Sequence, residues 1–328
     1  MGYSEYLAAR EFIGSIGQPV ITYILMVSVL QGILALIYLI RKDGKYYDQL
    51  KKCLYINAGL YVLGFFFLIW FHIQIYNSIL IEYPLFLRQL IPVESSRFVI
   101  PLWIESEKLY FWGMMSSIFI LTVKKKKDLI SFLCIILAVF SAIVYFFSNP
   151  FIEPLPTVHG EITRWFSAVA SGDIGLYQLA GTLYGRITFF YNSTYMWIHP
   201  PILFIAYASL IITAAACVYM LAENDKVYDD IAYMYAKIGY ILLTTGMLIG
   251  YPWAIEAWKD SAWWWDPKIN GSIMMWALYS AYLHAHIYTA KGKMWKGTAY
   301  LGILCFVSLV FTYLLTYIVP GIHSVVQP

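Results

Sequence analysis

The side chains with the greatest capacity for chemistry in this chain are a run of tryptophans and six histidines. The segment WAIEAWKDSAWWWDPKINGSIMMW, from Trp253 to Trp276, holds six of the chain's 12 tryptophans. Trp253, Trp258, Trp263, Trp264 and Trp265 together make an apolar shelf with N–H donors at its edges. Such a shelf suits a large planar ligand with one wet edge, and a porphyrin has that shape. An aromatic belt at a membrane interface is the plainer alternative, but a belt has no need of three adjacent indoles beside an Asp-Pro pair. Asp266 followed by Pro267 reads as a helix start. The carboxylate is placed to cap, and proline sits at the first helical position, where a missing N–H costs nothing.

The histidines are His72, His159, His199, His284, His286 and His323. His199 lies in NSTYMWIHPPILFIAY, at the mouth of an apolar run that Pro200 and Pro201 open, and His323 lies in VPGIHSV, just past the last apolar run. Two imidazoles at the level of the tryptophan shelf are what bis-histidine ligation of a haem over that shelf requires. His284 falls deep inside an apolar run, roughly 10 Å from its inner edge by helical rise. An imidazole at that depth suggests a second haem site or a step on a haem path, and helix–helix hydrogen bonding is the alternative. His286 points to nearly the opposite helix face. His72 and His284 differ in depth by roughly 20 Å, so they are not expected to share one iron; a second ligand for His284 is expected from another chain. His159, on a polar connection, reads as a surface residue.

These residues need a scaffold, and composition names its solvent. Of 328 residues, 61% are apolar and 12% charged, against about 25% charged in soluble domains, so the surface faces lipid. The expected fold is all-α: a polytopic transmembrane bundle of about eight spans, near 19–40, 53–76, 98–123, 129–149, 200–222, 231–252, 269–290 and 298–319. With both termini outside, 14 of the 22 basic residues fall on short inner loops, as the positive-inside rule prefers. The long connections 77–97, 150–199 and 253–268 then lie outside, and the chemistry with them. The polar start and long first apolar run read as a retained helix, not a cleaved signal peptide. A net charge of +3 without a basic patch gives no nucleic-acid partner. The four cysteines, Cys53, Cys134, Cys217 and Cys305, form no CxxC pair.

The segment GYPWAIEAWKDSAWWWDPKINGSIMMWALYSAYLH resembles the tryptophan-rich WWD segment of the haem-handling membrane proteins of cytochrome c biogenesis. IHPPILFIAY, with the upstream NPF at Asn149 to Phe151, and GTAYLGILCFVSLVFTYLLTYIVPGIHSV are similar to CcmF-type members. WIESEKLYFW, Trp103 to Trp112, is a weaker echo of a Trp–Glu–Gly–Ser stretch of that group. Length and span number are more like the CcsA-type members, which work with a second membrane subunit. The sequence departs from the family in KING (Lys268 to Gly271) and in a long loop 152–191.

The resemblance implies a single membrane domain, 1–328, with a haem-handling core at 98–326 that includes the WWD segment 253–268. It implies haem b as cofactor, His199 and His323 as outer ligands to the iron, Trp263 to Asp266 in the haem-contacting segment, and His284 as a membrane-embedded haem histidine. Apocytochrome c and another membrane subunit of the assembly system are the implied partners. The implied activity is presentation of haem to a CxxCH motif at the outer face of the cell membrane for thioether attachment, a possible holocytochrome-c synthase (haem lyase). Lysines, Lys259 and Lys268, suit haem propionates better than the nearby Glu256, Asp260 and Asp266, which repel them. Three other classes stay open at this point: a haem carrier or exporter without ligation, a b-type membrane cytochrome, and a solute transporter with no cofactor.

Overall fold

The computed structural model describes residues 3–81, 101–124, 126–171, 194–225, 227–258 and 262–323. Among them are nine α-helices and no strand: α1 (Tyr3–Arg41), α2 (Gly44–Ile81), α3 (Glu105–Thr122), α4 (Lys127–Phe147), α5 (Pro156–Ser171), α6 (Thr194–Glu223), α7 (Val227–Ala257), α8 (Pro267–Ala290) and α9 (Trp295–Ile318). A single 3-10 turn, Trp263–Trp265, precedes α8. Six helices, α1, α2, α4, α6, α7 and α9, are long and apolar enough to cross a membrane. The two further expected spans are helical as well. The first turn of α3 holds Glu105, Glu107 and Lys108, which takes it below such a criterion although it is well enclosed, buried without a break from Leu109 to Met114. A helix apolar all round belongs inside a bundle. α3 packs on α2, α4 and α6, so it joins the α1–α2–α4 group to the α6–α9 group.

α1 starts 16 residues before the expected boundary at 19, and at 1.5 Å per residue its 39 residues run about 58 Å. Its first turns are held by α5, a helix in the connection expected as a loop. Tyr6 Oη and His159 Nδ1 are 2.8 Å apart, Tyr3 donates to Thr163 at 3.3 Å, and the Tyr3 and Phe166 rings lie 4.8 Å apart. His159 is therefore a partly buried helix contact and not a plain surface residue. Val158, Ile162, Trp165 and Phe166 are all buried, spaced i, i+4, i+7, i+8. That helical period is present in the sequence but is diluted by the polar residues between.

Polar side chains inside the first group hydrogen-bond to one another. Ser28 donates to Ser141 at 3.0 Å, Asn57 donates to Ser28 at 2.8 Å and to Gln31 at 3.4 Å, and the Tyr61 and Ser141 hydroxyls are 2.9 Å apart. Away from water such groups have no other partners, so the network fixes the register of α1, α2 and α4.

Candidate functional site

His199 is set by two glycines of α7. Its Nδ1 lies 2.7 Å from the Gly246 carbonyl oxygen. A carbonyl only accepts, so Nδ1 carries the hydrogen and Nε2 keeps its lone pair. Gly250, one turn on, supplies the room: a Cβ there would lie 2.5 Å from Cε1 and 2.6 Å from Nδ1 of the imidazole. A Cβ on Gly246 would meet Leu203 at 2.7 Å. The pair is a G-x-x-x-G face that lets α6 and α7 approach closely. The sequence places the start of this helix at Pro200; the helix in fact begins at Thr194, with both prolines inside it. Prolines lack the N–H that would bond the preceding turn, so local packing carries the helix through His199.

His323 is set by Asp266. Its Nδ1 is 3.0 Å from Asp266 Oδ1, and its backbone N–H donates to Oδ2 at 3.3 Å. The same carboxylate caps α8, accepting from the Lys268 and Ile269 backbone N–H groups at 3.0 and 3.2 Å, with Pro267 at the first helical position as the Asp-Pro order predicts. Burial works against the Asp266 charge, but His323 and the backbone donors prevail and hold its pKa at about 2. Burial keeps the His323 imidazole below its ordinary value, so it is neutral at pH 7, with Nδ1–H donating to the carboxylate and Nε2 free to act as a base or ligand. Close approach again depends on glycine: a Cβ on Gly321 would lie 2.7 Å from Asp266 Oδ2.

A chain of indole rings connects the two imidazoles along the site. The His199 and Trp253 rings are 5.6 Å apart, Trp253 and Trp258 are 4.8 Å apart, and Trp258 and His323 are 4.8 Å apart. These four rings, with Trp263 and Trp264, line a cavity of about 360 Å³ that Lys108, Lys268 and Tyr313 also line. That is the lower end of the range for ligand sites, roughly 300–1,000 Å³. Of the sequence-derived shelf, Trp265 departs: it is 74% exposed and does not line the cavity. In the tight 3-10 turn, the third indole projects away from the other two.

The remaining histidines lie elsewhere. His284 is on the exposed face of α8, its Nδ1 2.7 Å from the Ser280 carbonyl of its own helix. His72 is fully buried, with Nε2 2.6 Å from Glu107 Oε1 and its ring against Trp103. His286 meets Asp229 at 3.2 Å and stacks on Tyr233. Among the described residues no cluster of three or more His, Cys, Asp or Glu is arranged to hold a metal ion. Lys259, Asp260 and the tail after His323 lie outside the described residues. Sequence reasoning missed Lys108, which reaches the cavity from α3, and Tyr313, which reaches it from α9. The signal for Lys108 was the charged triplet in WIESEKLYFW, an expensive thing to place in an apolar chain.

A helical membrane bundle with paired imidazoles around an indole-lined cavity defines the class. Residues 102–323 match the family model described as cytochrome C assembly protein, more than half of the chain, and the protein belongs to that family. It is an integral membrane protein of cytochrome c biogenesis, of the CcmF/CcsA type. Relatives include the cytochrome c biogenesis protein CcsA of Gloeobacter violaceus, 39% identical over 114 residues, which are 34% of this chain and 33% of that protein. CcsA of Guillardia theta is 39% identical over 99 residues, 29% of this chain and 31% of its own length. The matched stretch thus spans about a third of these relatives. Among solved structures, the cytochrome c haem lyase CcmF shares the fold with a TM-score of 0.59 at 18% identity, over 92% of this chain and 47% of that one.

Proposed function

We propose that the protein binds haem b in this cavity, at the outer face of the membrane, and presents it to the CxxCH motif of apocytochrome c. One observation carries the reading: two imidazoles of one cavity are each tied through Nδ1, to Gly246 and to Asp266, leaving Nε2 of each for a metal. A histidine oriented by a carbonyl or carboxylate through its other nitrogen is the usual posture of a metal ligand. Both are neutral-ready donors of the type that haem iron takes, and the indole walls offer the flat apolar surface that a macrocycle needs.

Haem, when bound, supplies the vinyl groups across which the substrate's cysteine S–H bonds add to form thioethers. The protein's own part is positional. His199 and His323 would hold the ligand, Trp253 and Trp258 would keep water from it, and an edge left at the mouth of the cavity would face the substrate. Orientation of this kind contributes roughly 7–11 kcal/mol in favourable cases. No side chain of the cavity has to act as a nucleophile, because the thiols belong to the apocytochrome.

His284, exposed on α8, is assigned to a second haem position completed by another membrane subunit of the assembly system. An imidazole facing lipid is costly unless a neighbour pairs with it. Replacing the native copy by the H199A/H323A double variant in its own host tests the reading with every partner present. Covalent haem staining of c-type cytochromes is expected to disappear while b-type haemoproteins persist. Undiminished staining with normal expression of the variant contradicts it.

A further inference from the structure

Lys108 and Lys268 line the cavity and belong to an ionic cluster that imidazole ligation does not use. Glu105 accepts from Lys108 Nζ at 2.6 Å and from the Tyr313 hydroxyl at 2.9 Å, and it stands 4.0 Å from Lys268 Nζ. The two ammoniums and the carboxylate are largely enclosed, with side chains 20%, 20% and 13% exposed. Asp266, the other acid nearby, is committed to His323 and to the cap of α8. Among the described residues this cluster therefore carries two positive charges against one negative. Lys268 makes no hydrogen bond to any described residue, since 4.0 Å exceeds hydrogen-bond reach and its other contact is the Tyr313 ring at 5.7 Å. An enclosed ammonium with unused donors favours an anionic ligand.

We propose that Lys108 and Lys268 form a carboxylate-binding subsite of the cavity, and that Glu105 is an internal competitor which holds the two lysines until a ligand carboxylate takes its share of them. This rests on reading the cavity as a porphyrin site. It adds that the site selects for the acid groups of the macrocycle, and that the lysines orient those groups away from the open edge. Glu105 prevents the lysines from repelling one another and keeps indiscriminate small anions out, because any anion must displace a carboxylate already hydrogen-bonded by two donors.

The test uses metal-free protoporphyrin IX and its dimethyl ester, followed by quenching of tryptophan fluorescence in the detergent-purified full chain. Metal-free probes do not depend on the imidazoles. Wild type is expected to bind the diacid about tenfold or more tightly than the diester, the scale of a charge-assisted hydrogen bond. K108M/K268M is expected to lose that preference, read as the ratio of diacid to diester affinity, and K268R to keep most of it. E105Q is expected to bind the diacid more tightly than wild type and the diester equally. No diacid preference in wild type, or a preference that survives K108M/K268M, overturns the subsite; weaker diacid binding by E105Q overturns the competitor role. If haem ligation by His199 and His323 fails while the diacid preference holds, the ligation reading falls and the subsite stands.

Discussion

Asp266 is the residue at which the fold and the site are most tightly coupled, and replacing it separates two effects of different size. In Asp266→Ala the cap of α8 loses its acceptor for the Lys268 and Ile269 N–H groups, a cost of about 1 kcal/mol. The same change removes the acceptor of His323 Nδ1 at 3.0 Å and of its backbone N–H at 3.3 Å, with a charged-acceptor bond worth about 1.5–3 kcal/mol. Asp266→Asn restores the cap, since asparagine caps as well as aspartate, and still offers His323 an oxygen, but without the charge. The fold should survive both changes, because α8 is also packed on α7 and α9. Haem affinity should not: loss of a second ligand-orienting partner of this kind typically costs about 10–100-fold. Titration of haem into the detergent-solubilised variants, read by visible absorbance, should place Asp266→Ala in that range and Asp266→Asn between it and wild type. Wild-type affinity in a folded Asp266→Ala protein would refute the argument that this contact aims His323 at a ligand.

Three further outcomes are expected. Gly250→Ala drives a methyl into the space of the His199 ring, 2.5 Å from Cε1, so the bound-haem spectrum should move from low-spin to high-spin while helical circular dichroism stays unchanged; an unaltered low-spin spectrum counts against the role of His199. Asn57→Ala removes the donor to Ser28 and Gln31 and should lower unfolding stability by about 0.6–1.7 kcal/mol, measured by thermal denaturation in detergent, without altering haem binding. Because burial holds His323 below its ordinary pKa of 6.5, its contribution to stability is fully present above that value. That contribution is lost as pH falls through 6.5 towards the folded pKa, since the unfolded chain then binds the proton more readily. Asp266, held at about 2 against an ordinary 3.8, keeps its contribution until pH falls through that lower window. Haem retention should accordingly be flat from about pH 8 to 6.5 and decline only below; a loss between pH 7 and 8 shows that His323 is not the neutral ligand described.

The histidine pair, the tryptophan segment and the Asp-Pro helix start were legible in the sequence because each is a local pattern: residue types that are costly or distinctive in lipid, placed at the ends of apolar runs. The helical class was legible for the same reason, since composition alone excludes a water-facing surface. What was not legible depends on contacts between distant segments. Lys108 enters the cavity because α3 sits at the centre of the bundle, between α2, α4 and α6, and no spacing in the chain reveals that. Trp265 was grouped with its neighbours by adjacency, yet three residues of a 3-10 turn point in three directions, and only Trp263 and Trp264 reach the cavity. α5 was hidden by its polar residues, and the extension of α1 is meaningful only once α5 is there to pack against it. The roles of Gly250 and Gly321 likewise follow from what approaches them: an imidazole in one case, a capping carboxylate in the other.

The central claim, that His199 and His323 hold haem through Nε2 across the indole-lined cavity, is tested most directly by visible absorption spectra of the detergent-purified chain, oxidised and reduced. Wild type and the H199A/H323A variant are compared after addition of haem. A low-spin b-type spectrum in wild type that the double variant loses or weakens is the predicted result. A wild-type protein that stays colourless with added haem, or a double variant whose spectrum matches wild type, contradicts it.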